Sequence, residues 1–432
     1  MARMTKTWIA LAAASTLIGG GLALAADSTG PAVKGAGTTK AIDRAVDHDT
    51  LVLRTGSGTG VLSTQDGAWS KQASEGALIA PGTNKLIHGV EGPDTTKLVV
   101  TDPASGDVTE GAPLDGTLVA NVVSGSGDYV ALTPPRSPGA TPWLPDGRRA
   151  TKVVVAPLAA GEKPRTFDLR GNFEPEAFSV DDGTLFLIRY APAMAPSSYS
   201  VRRLNLETGR VRPIARLKLA APGTMRGTGR TQVLAPNKSE LYTLYTQQGP
   251  NYVHGEDADH SPGSVHAFVH VLNLEDEWAH CVDLPKPFGL GRATASAVAV
   301  SPRGDRVYVA DWTNDVIATI NPHRLQVLDV AHVELGGRDS KTFAAATNEA
   351  LFIGGDSQVI AFDTTAMTEF ARWDAKSDVT GLAIAPDDRG VYVTSGDEVS
   401  LLDLAIENVL DTWEVEGLAT VDRAFAVTGS TT

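Results

Sequence analysis

The sequence predicts an all-β fold built from repeated four-stranded antiparallel sheets, and three observations support that prediction. Glycine (43 residues) and proline (25) are frequent and aromatic residues are few, as expected for many short strands joined by turns. Long stretches with the apolar spacing of an amphipathic helix are absent from the sequence. A unit of roughly 40–65 residues recurs along the chain, and such periods are typical of repeat folds.

The clearest unit begins with the apolar run 297–300 and turns at residues 301–305, where proline and a Gly-Asp pair favour a hairpin. Further strand-like runs follow at 306–311, 316–320 and 326–330, each separated from the last by a short turn rich in Asn and Asp. The unit therefore reads as four short strands joined by hairpins.

Units of this kind fill the chain from about residue 76 to residue 416, where seven complete copies can be aligned. The segment 51–70 adds three strands without a first one, and the segment 421–427 adds one strand with nothing after it. Pairing of the two ends completes an eighth sheet and removes the exposed edges of an open array. The sequence thus predicts a β-propeller of eight blades, closed by its N- and C-terminal strands, with seven blades as the alternative.

The run from Val307 to Val316 (VYVADWTNDV) resembles the repeat of YVTN-type propellers, within the wider WD-repeat-like superfamily. The similarity is good in the last three units and weak before residue 230. It implies an exported bacterial propeller, and some relatives are lactonases or streptogramin lyases. Repeats of this kind specify a fold better than a chemistry.

The N-terminus has the pattern of an export signal. Arg3 and Lys6 precede an uncharged apolar stretch at 8–24, which ends in small residues suited to cleavage at 25–26. We expect residues 1–26 to be a signal peptide, 27–48 a flexible linker and 49–429 a single propeller domain. A retained membrane anchor is the alternative for the apolar stretch.

The overall charge of −14 disfavours binding to nucleic acid or to an anionic membrane surface. Cys281 is the only cysteine, so an intramolecular disulfide is excluded despite the predicted export. We expect a secreted monomer without contact to the membrane beyond the export signal, and an extracellular protein, peptide or glycan as its partner.

Three consecutive loops between the second and third strands are long, and adjacent blades should place them side by side on one face. They span Pro134–Ala150, Ala191–Ser198 and Gln247–Ser264. Long loops on a rigid scaffold commonly carry binding sites. The candidate binding residues are Trp143, Arg148, Arg149, Tyr190, Tyr199 and Tyr252. The alternative is that these loops are tolerated surface insertions.

The third loop and the strand after it are rich in histidine and carboxylate groups, which can bind a divalent ion such as zinc or manganese. The candidate ligands are His254, Glu256, Asp259, His260, His266 and His270. Their spacing matches no metal motif, and a solvated acidic loop is the favoured explanation, with a metal site as the alternative.

No catalytic motif is recognisable: the sequence has no Gly-x-Ser-x-Gly elbow, no phosphate-binding loop and no haem attachment motif. We therefore favour a binding or scaffold module over an enzyme and expect no cofactor. The alternative is a lactonase-like hydrolase or lyase that uses a metal or a His–carboxylate pair.

Overall fold

A computed structural model describes residues 48–73, 76–137, 145–159, 161–216, 224–248, 265–337, 340–404 and 408–426. Within these ranges the chain is almost entirely β-strand, with one short 3-10 helix at Ala293–Ala295. No described helix is both long enough and apolar enough to cross a bilayer.

The strands follow one another along the chain in groups of four. The first half comprises β1 (Asp49–Thr55), β2 (Gly58–Ser63), β3 (Trp69–Ala73), β4 (Leu78–Ile79), β5 (Leu86–Glu91), β6 (Thr95–Thr101), β7 (Val108–Asp115), β8 (Val119–Val123), β9 (Tyr129–Thr133), β10 (Ala150–Pro157), β11 (Arg165–Arg170), β12 (Asn172–Phe178), β13 (Thr184–Ala191), β14 (Ser198–Asn205), β15 (Val211–Pro213) and β16 (Ala215–Arg216). The second half comprises β17 (Gly229–Leu234), β18 (Glu240–Thr246), β19 (Ala267–Asn273), β20 (Trp278–Leu284), β21 (Ser296–Val300), β22 (Val307–Asp311), β23 (Val316–Asn321), β24 (Gln326–His332), β25 (Phe343–Ala346), β26 (Ala350–Gly355), β27 (Gln358–Asp363), β28 (Glu369–Asp374), β29 (Val379–Ile384), β30 (Gly390–Ser395), β31 (Glu398–Asp403), β32 (Asn408–Glu414) and β33 (Leu418–Ala426).

These strands form eight antiparallel sheets, and the predicted eight-bladed propeller is confirmed. Blades 2 to 8 take their four strands in chain order, beginning with β4, β8, β12, β17, β21, β25 and β29 as the innermost strands. Blade 5 has a fifth strand, because β16 pairs in parallel with its outer strand β20.

Blade 1 joins the two ends of the chain in the predicted manner. Its order is β3-β2-β1-β33, so the C-terminal strand is the innermost and pairs antiparallel with β1. The guanidinium of Arg54 contacts the carboxylate of Asp422 at 2.5 Å across this pair, and the Tyr392 hydroxyl of blade 8 donates to Asp49 at 2.6 Å. The ends of the chain are therefore connected to each other and to the neighbouring blade.

Apolar side chains on both faces of the central strands fill the space between blades. In β22, Val307 and Val309 pack toward blade 5, while Tyr308 and Ala310 pack toward blade 7. Because both faces are covered, such strands read as continuous apolar runs instead of alternating ones. The described residues form eight buried apolar clusters, one between each pair of adjacent blades, so the ring is continuous.

Candidate functional site

The three long loops lie on neighbouring blades, as the sequence predicts. They connect β9 to β10 in blade 3, β13 to β14 in blade 4, and β18 to β19 in blade 5. We call the side of the ring that carries them the loop face. The opposite side carries the turns between first and second strands, at residues 80–84, 124–128, 179–183 and 235–239, and we call it the hairpin face.

The loops of blades 3 and 4 contact each other through backbone groups. The amide of Arg148 donates to the carbonyl of Ala193 at 2.9 Å, and the Asn172 side chain donates to the carbonyl of Asp146 at 2.8 Å. A Cβ atom at Gly147 would lie 2.2 Å from the Met194 carbonyl oxygen, so only glycine fits this approach. The two loops are thus held together.

A buried ionic cluster connects the blade 3 loop to the inner strands of two other blades. Glu174 of β12 accepts hydrogen bonds from Arg136 of the loop at 2.8 Å and from Arg230 of β17 at 2.5 Å. The Tyr190 hydroxyl donates to the same carboxylate at 2.8 Å. The three charged side chains are only 11–15% exposed, so solvent screens their attraction weakly.

The Glu174 carboxylate is ionised in this cluster. Burial alone would raise its pKa, but the guanidiniums of Arg230 and Arg136 and the hydrogen bond from Tyr190 outweigh burial and hold the pKa below its usual range. The cluster therefore acts as a charged clamp between blades 3, 4 and 5.

The candidate binding residues occupy different environments. Arg149 is exposed, and the Arg148 guanidinium donates to the carbonyls of Pro134 and Pro135, which closes its own loop. Tyr190 and Tyr199 are 1% and 2% exposed and pack between blades 4 and 5 instead of on the surface. Trp143 and Tyr252 lie outside the described residues.

The position of the two tyrosines has a simple cause. Tyr190 and Tyr199 pair directly with each other in the β13–β14 ladder, on the same side as the buried Ile188 and Val201. They therefore occupy the positions of β13 and β14 nearest the loop whose side chains pack between blades 4 and 5. They do not belong to the loop itself.

Four of the candidate metal ligands, His254, Glu256, Asp259 and His260, lie outside the described residues. His270 is 3% exposed within β19, with its ring edge-on to Tyr245 at 6.0 Å, and His266 lies just before this strand. Among the residues that the structure describes, no group of three or more His, Cys, Asp or Glu side chains converges. The metal site stays a prediction.

A cavity of about 520 Å³ opens on the hairpin face, among the inner strands of blades 2 to 5. Most of its wall is apolar, and the charged residues in the wall are Glu176 and Lys238. Glu176 is the extra residue of a β-bulge, because Pro175 pairs with Leu187 while Ala177 pairs with Phe186. The bulge takes the Glu176 backbone out of the ladder.

Glu176 is 6% exposed, and neither oxygen of its carboxyl has a hydrogen-bond partner among the residues that the structure describes. Burial raises the pKa of Glu176 to about 7; Arg230 opposes this shift and Glu174 adds to it. Sequence reasoning missed Arg136, Glu174, Glu176 and Arg230. The sequence did contain an indication of this cluster, because two glutamates interrupt the otherwise apolar first strand of blade 4.

The raised pKa predicts that Glu176 makes folding stability depend on pH. Its carboxyl takes up a proton near pH 7 in the folded chain but only near pH 4.5 when unfolded. The contribution of Glu176 to the free energy of unfolding is therefore complete below pH 4.5 and is lost as the pH rises through 7. Between pH 5 and pH 8 this amounts to about 2–3 kcal/mol.

Urea unfolding of the wild-type protein and Glu176→Gln at both pH values measures this term, because the variant keeps the contributions of all other groups. We expect the wild type to lose about 2–3 kcal/mol more than the variant between pH 5 and pH 8. Identical pH dependence of the two proteins would contradict the assignment.

The architecture defines the protein as an eight-bladed β-propeller with one loop-enlarged face. No protein-family model matches the chain, and no curated protein matches it. Solved structures do. The structure of Sqt1 from Saccharomyces cerevisiae matches with a TM-score of 0.50 and 12% identity, over 79% of this chain and 86% of that one.

Apo AztD from Citrobacter koseri matches with a TM-score of 0.38 and 12% identity, over 77% of this chain and 95% of that one. TolB from Acinetobacter baumannii matches with a TM-score of 0.37 and 10% identity, over 77% of this chain and 64% of that one. At this level of identity, the similarities concern the fold alone.

Proposed function

We propose that this protein is a binding module that recognises a protein or peptide partner through the loop face of blades 3 to 5. The observation that carries the proposal is the buried cluster of Arg136, Glu174 and Arg230, which fixes the start of the first loop, at Arg136, to two neighbouring blades. A loop that is ordered before binding costs less conformational entropy on association than a loop that orders with its partner.

The surface chemistry of this face supports the same proposal. Arg149, Arg189 and Arg226 are exposed near the loops, although the chain as a whole is acidic. Met194, between β13 and β14, and Leu290, between β20 and β21, are 55% and 53% exposed on the same face. Arginine and methionine are enriched in protein interfaces, whereas a typical solvated surface carries more lysine and glutamate.

Export belongs to the same proposal. The charged start, the apolar stretch and the small residues up to Ala26 have the pattern of a cleaved signal peptide. A secreted or extracytoplasmic propeller would then meet a partner outside the cytoplasm.

Capture from concentrated culture supernatant tests the loop face, using the propeller immobilised from residue 27 onward. The loop-face variant combines Arg149→Glu with Met194→Asp. Its control is Arg303→Glu, which makes the same Arg-to-Glu exchange as the first of these substitutions, but at an exposed turn on the hairpin face. We expect a saturable partner to bind the wild type and Arg303→Glu and to be captured about tenfold less by the loop-face variant.

Circular dichroism should show the same melting temperature for all three proteins, because the substituted side chains are at the surface. Equal capture by all three, or no saturable partner at all, would contradict the proposed function.

A further inference from the structure

The Glu176 carboxyl has unmet hydrogen-bonding capacity beside the cavity on the hairpin face. Within the described part of the chain neither of its oxygens has a hydrogen-bond partner, and burial of a carboxyl without donors costs free energy. Its neighbour Glu174 is saturated by comparison, since two guanidiniums and a tyrosine hydroxyl bind it. A ligand in the cavity could supply the donors that Glu176 lacks.

The cavity suits a small, largely apolar molecule. Its volume of about 520 Å³ lies within the range of small-molecule sites in proteins. Val122, Phe178 and Leu234, from the inner strands of blades 3, 4 and 5, supply apolar wall. Hydrophobic walls with a few polar groups are the usual composition of such sites.

The turns of the hairpin face beside the cavity carry charges of both signs. Asp182 accepts a hydrogen bond from Ser126 at 2.7 Å, and its second carboxyl oxygen is buried with no hydrogen-bond partner among the described residues. Asp128 and Asp181 lie on the same turns. The Lys238 ammonium donates to the carbonyl of Gly125 at 3.0 Å, which holds it on the hairpin face and leaves its positive charge in place.

The charged and titratable groups around Glu176 come from several strands. Arg230 of β17 and Glu174 of β12 act on it directly, and the buried hydroxyls of Tyr199 and Tyr245 sense its charge from β14 and β18. Because Arg230 bonds to Glu174, Glu176 keeps its hydrogen-bonding capacity for a further partner.

We propose that this cavity binds a small organic cation, with its ammonium group on Glu176 and its apolar body against the inner strands of blades 3 to 5. Both carboxyl oxygens are covered by the surrounding residues, so the proposal requires the Glu176 side chain to rotate toward the axis when the ligand binds. The selection of a cation rests on the Glu176 carboxylate, the acidic residue in the cavity wall. The site lies opposite the loop face and does not depend on the proposed function.

Three indole ligands with the same ring test this proposal by calorimetry at pH 8: tryptamine as the cation, tryptophol as the neutral alcohol and indole-3-acetate as the anion. We expect tryptamine to bind about tenfold more tightly than tryptophol, and indole-3-acetate to bind more weakly still. In Glu176→Gln the preference for tryptamine should fall to within about twofold, while Glu110→Gln, at an exposed carboxylate of β7, should retain it.

A pH series on the wild-type protein repeats the test without any substitution. Protons compete with the cation for Glu176, so tryptamine affinity should rise about tenfold from pH 6 to pH 8 while tryptophol affinity stays constant. Any of three results would overturn the proposal: no binding of tryptamine at millimolar concentration, equal affinity for the three ligands, or an unchanged preference for tryptamine in Glu176→Gln.

Discussion

Glu174→Gln is expected to lower the free energy of unfolding by about 3–5 kcal/mol. The substitution removes the negative charge that two buried guanidiniums share, and breaking a buried ion pair by removal of one partner leaves an uncompensated charge. The carboxyl and amide groups are nearly equal in size, so the loss reports electrostatics and hydrogen bonding instead of a cavity. Urea unfolding at pH 7 measures it.

Glu110→Gln is the matched control, because it removes the same charge from a pair with Lys97 whose side chains are 56% and 41% exposed. Its effect should stay within about 1 kcal/mol. If the two variants lose equal stability, the cluster around Glu174 does not clamp the three blades.

Removal of β33 is expected to destroy the cooperative fold. A chain that ends at Glu416 lacks the inner strand of blade 1, which exposes the backbone edge of β1 and uncovers Leu53. Val421 and Phe425, buried in two different interblade clusters, are lost as well. Each buried side chain of this size contributes about 1.5–3 kcal/mol, so the total approaches the stability of a typical domain.

Size-exclusion chromatography and thermal melting of three chains, ending at Glu416, Ala426 and Thr432, provide the measurement. We expect aggregation and no sharp melting transition for the shortest chain, and folded monomers for the other two. A monomeric shortest chain with an unchanged melting temperature would show that the ring does not need its C-terminal strand.

The fold could be predicted from the sequence because its information is local and repeated. Runs such as Val307–Asp311 fill a strand buried on both faces, and a turn rich in Pro, Gly, Asn or Asp recurs once in each unit. The unpaired strands at the two ends of the chain were sufficient to predict the eighth blade and its closure. The same alignment of the repeat units predicted which three loops between second and third strands are enlarged.

The buried groups near the loops could not be predicted, because they depend on contacts between residues distant in the sequence. Arg136 and Arg230 are 94 positions apart and are brought together by shared contacts with Glu174 and Tyr190. The bulge at Glu176 shifts the alternation of side chains between the two faces of β12 by one residue. A regular two-residue alternation does not predict such a shift. Tyr190 and Tyr199 read as loop residues because strand ends are the least predictable part of an element.

The central claim is that the loop face is formed before a partner binds. Hydrogen exchange followed by mass spectrometry tests it most directly, because a preformed surface protects its amides in the absence of a partner. The amide of Arg148 donates to Ala193, and the amide of Gly171 donates to Arg149, each at 2.9 Å. In the wild type, both amides should exchange about 100-fold more slowly than in an unstructured chain, and Glu174→Gln should remove most of this protection. Unprotected amides in the wild type would contradict a preformed loop face.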